Sequence, residues 1–336
     1  MSFKRFEADD LVVSAEPVSA PVWSTDTPAL TTFYTSSTQA ASTSGNYYLD
    51  VYQTGSSLDN ATVQFAVAYA DQMGSGSNAY NLAIPGKSYS STIYGQYRTL
   101  VMGDEESAFN FGGTISEYFY VISIDRDRYK ESLLPGSFNL TLVNGANTLE
   151  LTDNSVDATT VTFNDAGRVY QIISGSNGTA YSGTGYSPGS GSYGYLLPDI
   201  GVILLNGEAL DETGVNGGIA LATGRGTVVP SPTNPAKLYN AIVAGGSFKL
   251  NYKETISSQF VFARVRNSEF NYSTNPSYIT GSGDLRIPNM VSAPQTYITT
   301  VGMYNDNNEL LAVAKLSRPL LKDFTKEALI RIKLDF

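Results

Sequence analysis

The end of this chain constrains its fold more than any other stretch. Residues 330–336 alternate without exception: Ile330, Ile332, Leu334 and Phe336 take one face, Arg331, Lys333 and Asp335 the other. Period-two alternation marks a strand with one buried and one wetted face. Upstream, residues 297–304 and 309–316 are β-type runs on either side of the polar loop 305–308, and they read as a hairpin. A chain that closes on Phe336 with no polar tail is expected to end inside a packed sheet.

The remainder reads the same way. Residues 1–45 mix short apolar words with Pro17, Pro21 and Pro28, then a Ser/Thr-rich tract at 36–44. Proline cannot donate to a ladder and is confined to sheet edges. An extended N-terminal arm is therefore expected, with Trp23 as its anchor; an ordinary first strand with Trp23 in the core is the alternative. Residues 46–173 read as a β-rich domain. Within it, Tyr94, Tyr97 and Leu100 have helical spacing, 117–124 is a buried strand, and Asp125 caps a short surface helix that Pro135-Gly136 stops. Asn144-Gly145 between alternating runs is the strongest short hairpin signal. Residues 174–235 comprise a flexible Gly/Ser/Tyr-rich loop at 174–194, a buried strand at 195–206 and a Gly/Pro-rich insertion. Such low-complexity composition cannot bury enough surface to order itself, so the loop is expected to order against a partner. Residues 236–336 read as a C-terminal β-rich unit that starts with a helix at 236–245 and ends in the hairpin and terminal strand. It stands alone or shares one sheet system with 46–173. The fold class is mainly β, with β-sandwich-like sheets and a few short helices; α+β is the alternative.

Composition narrows the function classes. Tyr 23 and Phe 15 against Trp 1 favours cross-strand pairs and interfaces. The net charge of −10 argues against a general nucleic-acid binder. No apolar run approaches the ~20 residues of a membrane span. The N-terminus lacks the apolar core of a signal peptide, so synthesis and folding in a cytoplasm are expected. Cys 0 excludes disulfides and thiol nucleophiles, and His 0 excludes every serine–histidine triad.

Candidate chemistry is sparse. Asp104-Glu105-Glu106 and Asp125/Asp127 are the acidic clusters, but adjacent loop acids are ordinarily a solvated face, and the second alternates with Arg126 and Arg128. Asn305 to Asn308 are oxygen-rich without calcium-loop spacing. The glycines around Tyr186 match neither phosphate-loop pattern. No catalytic, metal or cofactor-binding residue is assigned. Candidate interface residues are Trp23, Tyr181, Tyr186, Tyr193, Phe270 and Tyr272, the loop tyrosines also being candidates for stacking on glycan.

Two stretches carry a resemblance. Residues 127–142 and residues 264–336, above all 297–319, are similar to structural proteins of contractile-tailed, T4-like bacteriophages of marine bacteria. The strand–Asp/Asn-turn–strand wording of 297–319 recurs in tail-fibre and baseplate proteins. The resemblance covers about a third of the chain. It implies a virion location, a non-enzymatic role in the baseplate wedge region, other tail proteins as partners, and several copies around a six-fold axis. A peripheral tail protein binding a host receptor or glycan is the alternative.

Overall fold

The computed structural model describes residues 3–35, 48–76, 83–84, 88–181, 191–222 and 233–335. The protein is mainly β, with α-helices at Tyr89–Met102, Gly207–Asp211 and Asn234–Gly245. It divides into a larger unit, Val18–Glu254, and a second unit made of Met1–Pro17 with Thr255–Phe336.

The larger unit is built on one 13-stranded sheet. Its path runs Tyr34–Thr35, Tyr48–Tyr52, Val63–Asp71, Tyr118–Ile124, Val202–Asn206, Gly194–Leu197, Gly167–Ser176, Asn147–Asp153, Asn139–Asn144, Phe248–Lys249 and Ala29–Leu30. Each neighbouring pair on this path is antiparallel. Tyr118–Ile124 explains the layering. It reads Tyr-Phe-Tyr-Val-Ile-Ser-Ile, without alternation, because both of its faces are covered. Tyr120, Ile122 and Ile124 share a core cluster with Leu238, Ala241 and Ile242 of the helix Asn234–Gly245. Phe119 and Val121 point the other way and join Ile93, Tyr94 and Val101 of the helix Tyr89–Met102. Burying one such apolar side chain contributes about 1.5–3 kcal/mol.

Local chemistry sets the helix ends. Ser88 and Ser91 form a capping box at the start of Tyr89–Met102, and Gly103, in the left-handed region at φ 72°, returns its N–H to Thr99. Pro235 opens Asn234–Gly245, as its fixed φ suits the first turn. The expected hairpin at Asn144-Gly145 forms, with Asn144 opposite Asn147.

Several expectations are corrected here. Residues 125–136 hold a 3-10 turn, Arg126–Arg128, and a two-residue strand, Ser132–Leu133, in place of a helix, although Asp125 does cap the turn by accepting from Asp127 N at 2.9 Å. The expected single strand at 195–206 is two, Gly194–Leu197 and Val202–Asn206, paired through a turn. The start of the supposed flexible loop is sheet, since Gly167–Ser176 runs into it and pairs with Thr179–Ala180; residues 182–190 lie outside the described residues. The boundaries at 45/46 and 235/236 are not where the chain divides. Leu30 pairs with Phe248, which pairs with Leu140, so residues on both sides of those boundaries build one core.

One charged pair is embedded in this unit. Arg168 Nε lies 3.0 and 3.1 Å from the two Asp199 oxygens, its backbone N–H reaches Oδ2 at 2.8 Å, and its Nη2 donates to Ser132 Oγ at 3.1 Å. Burial pushes the Asp199 carboxyl up, but the Arg168 hydrogen bonds and charge outweigh it and the net shift is downward. A carboxyl depressed in the folded state adds stability above its unfolded pKa, near 4, and loses it as pH falls through the folded value. Arg168→Met is therefore expected to cost about 2 kcal/mol at pH 7 and progressively less below about pH 4. Urea midpoints at pH 7 and pH 3 check this; a loss independent of pH contradicts the ion-pair account.

The second unit is built on a sheet ordered Leu11–Pro21, Asn251–Val265, Ala328–Asp335 and on a separate two-stranded hairpin. Asn251–Val265 runs into it, and its residues Ser258–Val265 pair with Ala328–Asp335. Gln295–Tyr304 pairs with Leu310–Asp323. The terminal alternation holds over the described residues: Ile330 and Ile332 are buried and Leu329, Arg331 and Lys333 exposed, while Phe336 lies outside them. Ile330, Ile332, Val261 and Met303 form this unit's core, with Ile298, Val301, Ala312 and Ala314 packed against it.

Candidate interaction surfaces

The hairpin turns two large apolar side chains outward. Along Leu310–Asp323, Ala312 and Ala314 face the core while Leu311 and Val313 are 69% and 58% exposed. Tyr297 on the partner strand is exposed too. Met303, opposite Ala312 on the partner strand, and Leu316 share that face and pack with Val261 and Ile332. The tip is held by Asn305, whose Oδ1 accepts from the N–H groups of Asn307 (3.0 Å) and Glu309 (2.8 Å). That oxygen is spent on the turn.

Beside the hairpin lies a cleft of about 890 Å³, entirely within the second unit. Phe3, Phe6, Arg5, Arg264, Tyr304 and Asp306 line it. Phe3 meets Tyr304 edge to face at 5.3 Å, and Lys4 pairs with Glu269 at 3.2 Å. These contacts hold Phe3 against the hairpin and Lys4 against loop 266–272.

Loop 266–272 carries two of the candidate interface residues. Tyr272 is exposed, and Phe270 is half-buried at φ 55°, its carbonyl accepting from Thr296 Oγ1 at 2.6 Å. The loop is pinned by Lys322, a fully buried lysine that sequence reading passed over. Its Nζ donates to Asn267 O (2.9 Å), Asn271 Oδ1 (2.7 Å) and Asp323 O (2.8 Å), one acceptor for each ammonium proton. A lone Lys in a strand carries no signal of burial, since lysine is almost never fully buried unless paired.

The other candidates scatter. Tyr181 is exposed in the larger unit, its hydroxyl hydrogen-bonded to Glu150. Tyr186 lies outside the described residues. Tyr193 is corrected: it is fully buried, and its hydroxyl donates to Gly217 O at 2.6 Å. Trp23 is corrected as well. It is 1% exposed and packs on Phe248 and Phe65, with ring centroids at 4.8 and 6.1 Å, so it anchors its own core.

The acidic clusters have local work. Asp104 Oδ1 accepts from the N–H groups of Glu106 (2.9 Å) and Ser107 (2.7 Å), and hydrogen bonds from Ser107 and Glu106 hold its carboxyl below the usual range. Arg126, expected to pair with neighbouring aspartates, instead lies over the Tyr129 ring at 4.6 Å and donates to the carbonyls of Tyr129 and Lys130.

Comparison with family models, with curated proteins and with solved structures finds no match.

Proposed function

We propose that the chain is a non-enzymatic structural component of a contractile phage tail, in the baseplate, making several contacts with neighbouring tail proteins. The observation that carries this reading is the exposed row of Leu311 and Val313 on the hairpin. Large apolar side chains turned outward while alanines turn inward suit burial under a neighbour, as contiguous apolar surface ordinarily marks an interaction site. The row falls inside residues 297–319, the stretch with the closest resemblance to tail proteins. Mass-spectrometric counting in purified particles of the encoding phage tests it. Copy numbers in multiples of six, as closed symmetry around the tail axis requires, are expected. Absence of the chain from the particle overturns it.

The cleft favours a second reading, a peripheral tail protein that binds host-surface glycan. Aromatic rings beside charged, planar hydrogen-bonding groups suit a sugar, one to stack on its face and the other to fix its hydroxyls. On a glycan array, binding that Tyr304→Ala weakens roughly tenfold supports this reading; no bound glycan, or no effect of the substitution, ends it.

A further inference from the structure

We propose that the chain self-associates through the strand Leu11–Pro21, two copies pairing edge to edge and antiparallel about a two-fold axis at Val13. This goes beyond the virion reading and stands independently of it.

The strand is outermost in its sheet, with Asn251–Val265 on one side and, among the described residues, no strand on the other. An outermost strand presents a row of unpaired N–H and C=O groups, which proteins ordinarily blunt with charge or proline. Pro17 and Pro21 blunt the second half of this strand. Residues 11–15, Leu-Val-Val-Ser-Ala, carry neither device, and Leu11, Val12 and Val13 are 41%, 46% and 71% exposed.

The faces can be assigned. Lys333 stands opposite Phe260, and its Nζ reaches Glu16 at 3.4 Å. Glu16, and by alternation Val12 and Ser14, therefore share the Phe260 face. Leu11, Val13 and Ala15 lie on the opposite face, that of the core residues Val261 and Ile332. The core face thus continues past its cover onto an exposed apolar strip.

Symmetry and charge favour a second copy as the occupant. Pairing at Val13 sets Val13 against itself, Leu11 against Ala15 and Val12 against Ser14, joining two apolar strips into one. It also brings Asp10 opposite Glu16 of the second copy. Each carboxylate already has a cation near it from its own chain: Arg264 Nε is 2.9 Å from Asp10 Oδ1, and Lys333, shared with Asp335, reaches Glu16. In a chain of net charge −10, this neutral window with compensated ends lets two copies approach where like charge otherwise keeps them apart.

The absence of cysteine gives a direct test. Residues opposite one another in an antiparallel pair have Cβ atoms about 4.5–5.5 Å apart, near disulfide reach. Val13→Cys is expected to give a covalent dimer under mild oxidation at least about ten times faster than Val215→Cys, an 86% exposed control; a monomer-level rate would correspond to no pairing. In sedimentation the unmodified chain is expected to dimerise by about 100 µM, and Val13→Lys to stay monomeric with an unchanged circular-dichroism spectrum. A chain that remains monomeric, a Val13→Lys variant that still dimerises, or cross-linking no faster than the control overturns the proposal.

Discussion

Deleting residues 330–336 is expected to unfold the second unit and leave the core of the larger unit standing. The deletion removes Ile330 and Ile332, two of the four fully packed apolar residues of that unit's core. It also strips the partner from most of Ser258–Val265. Truncating one buried isoleucine to alanine costs about 2–5 kcal/mol. Two such losses plus a lost ladder match or exceed the ~5–15 kcal/mol that stabilises a domain. The larger unit has its own clusters, built from other residues, and these contain nothing from the deleted stretch. Limited proteolysis should therefore degrade 255–329 quickly and spare 18–254. If 255–329 stays protected, the terminal strand is a docking arm and Ile330 and Ile332 contribute little to folding.

Trp23→Ala should lower the stability of the larger unit by roughly 3–5 kcal/mol, the usual cost of truncating a buried tryptophan. At the scale of a unit this size, that is a fall of about 6–20 °C in its melting temperature. The indole fills the space between Phe65 and Phe248, two side chains more than 180 positions apart in the chain, so its removal leaves a cavity where the strands meet. The indole N–H has no acceptor among the described residues, which is itself a cost. Trp23→Phe is accordingly expected to lose far less, because it keeps an aromatic ring and removes the unsatisfied donor. Calorimetry distinguishes the cases. A shift below about 2 °C for Trp23→Ala means the side chain is not a core anchor.

Much of the fold was legible where short-range chemistry decides it. Asn144-Gly145, the Pro235 start and Gly246 stop of the helix, and the loop at 305–308 each carry a local conformational demand, and each appears as read. The run at 195–206 was misread as one strand although Pro198, Asp199 and Gly201 lie within it; uniform apolarity masked a turn signal that was present. Tyr193 was misplaced, and Trp23 left between an arm and the core, for a different reason. A large aromatic residue beside prolines or glycines has the same local pattern whether its cover is a neighbour or its own chain. Of the surfaces, Phe270 and Tyr272 were visible as aromatic residues in a polar stretch. The edge strand and its exposed valines looked like an arm, and Lys322 had no signal at all.

By itself the sequence determined that this is a mainly β protein with no histidine or cysteine chemistry, and that its last strand has two unlike faces. Alternation and composition are properties of neighbouring residues, and neighbours suffice to read them. The tertiary structure alone decided which face is covered. In Leu310–Asp323 the alanines turn inward and Leu311 and Val313 outward, the reverse of what hydrophobicity ranks. That face meets Val261, Ile330 and Ile332 from distant segments, with Leu316 and the partner strand's Met303 beside the alanines, and only the packed structure brings them together. The division at Glu254/Thr255 arose the same way, from which distant segments share a core.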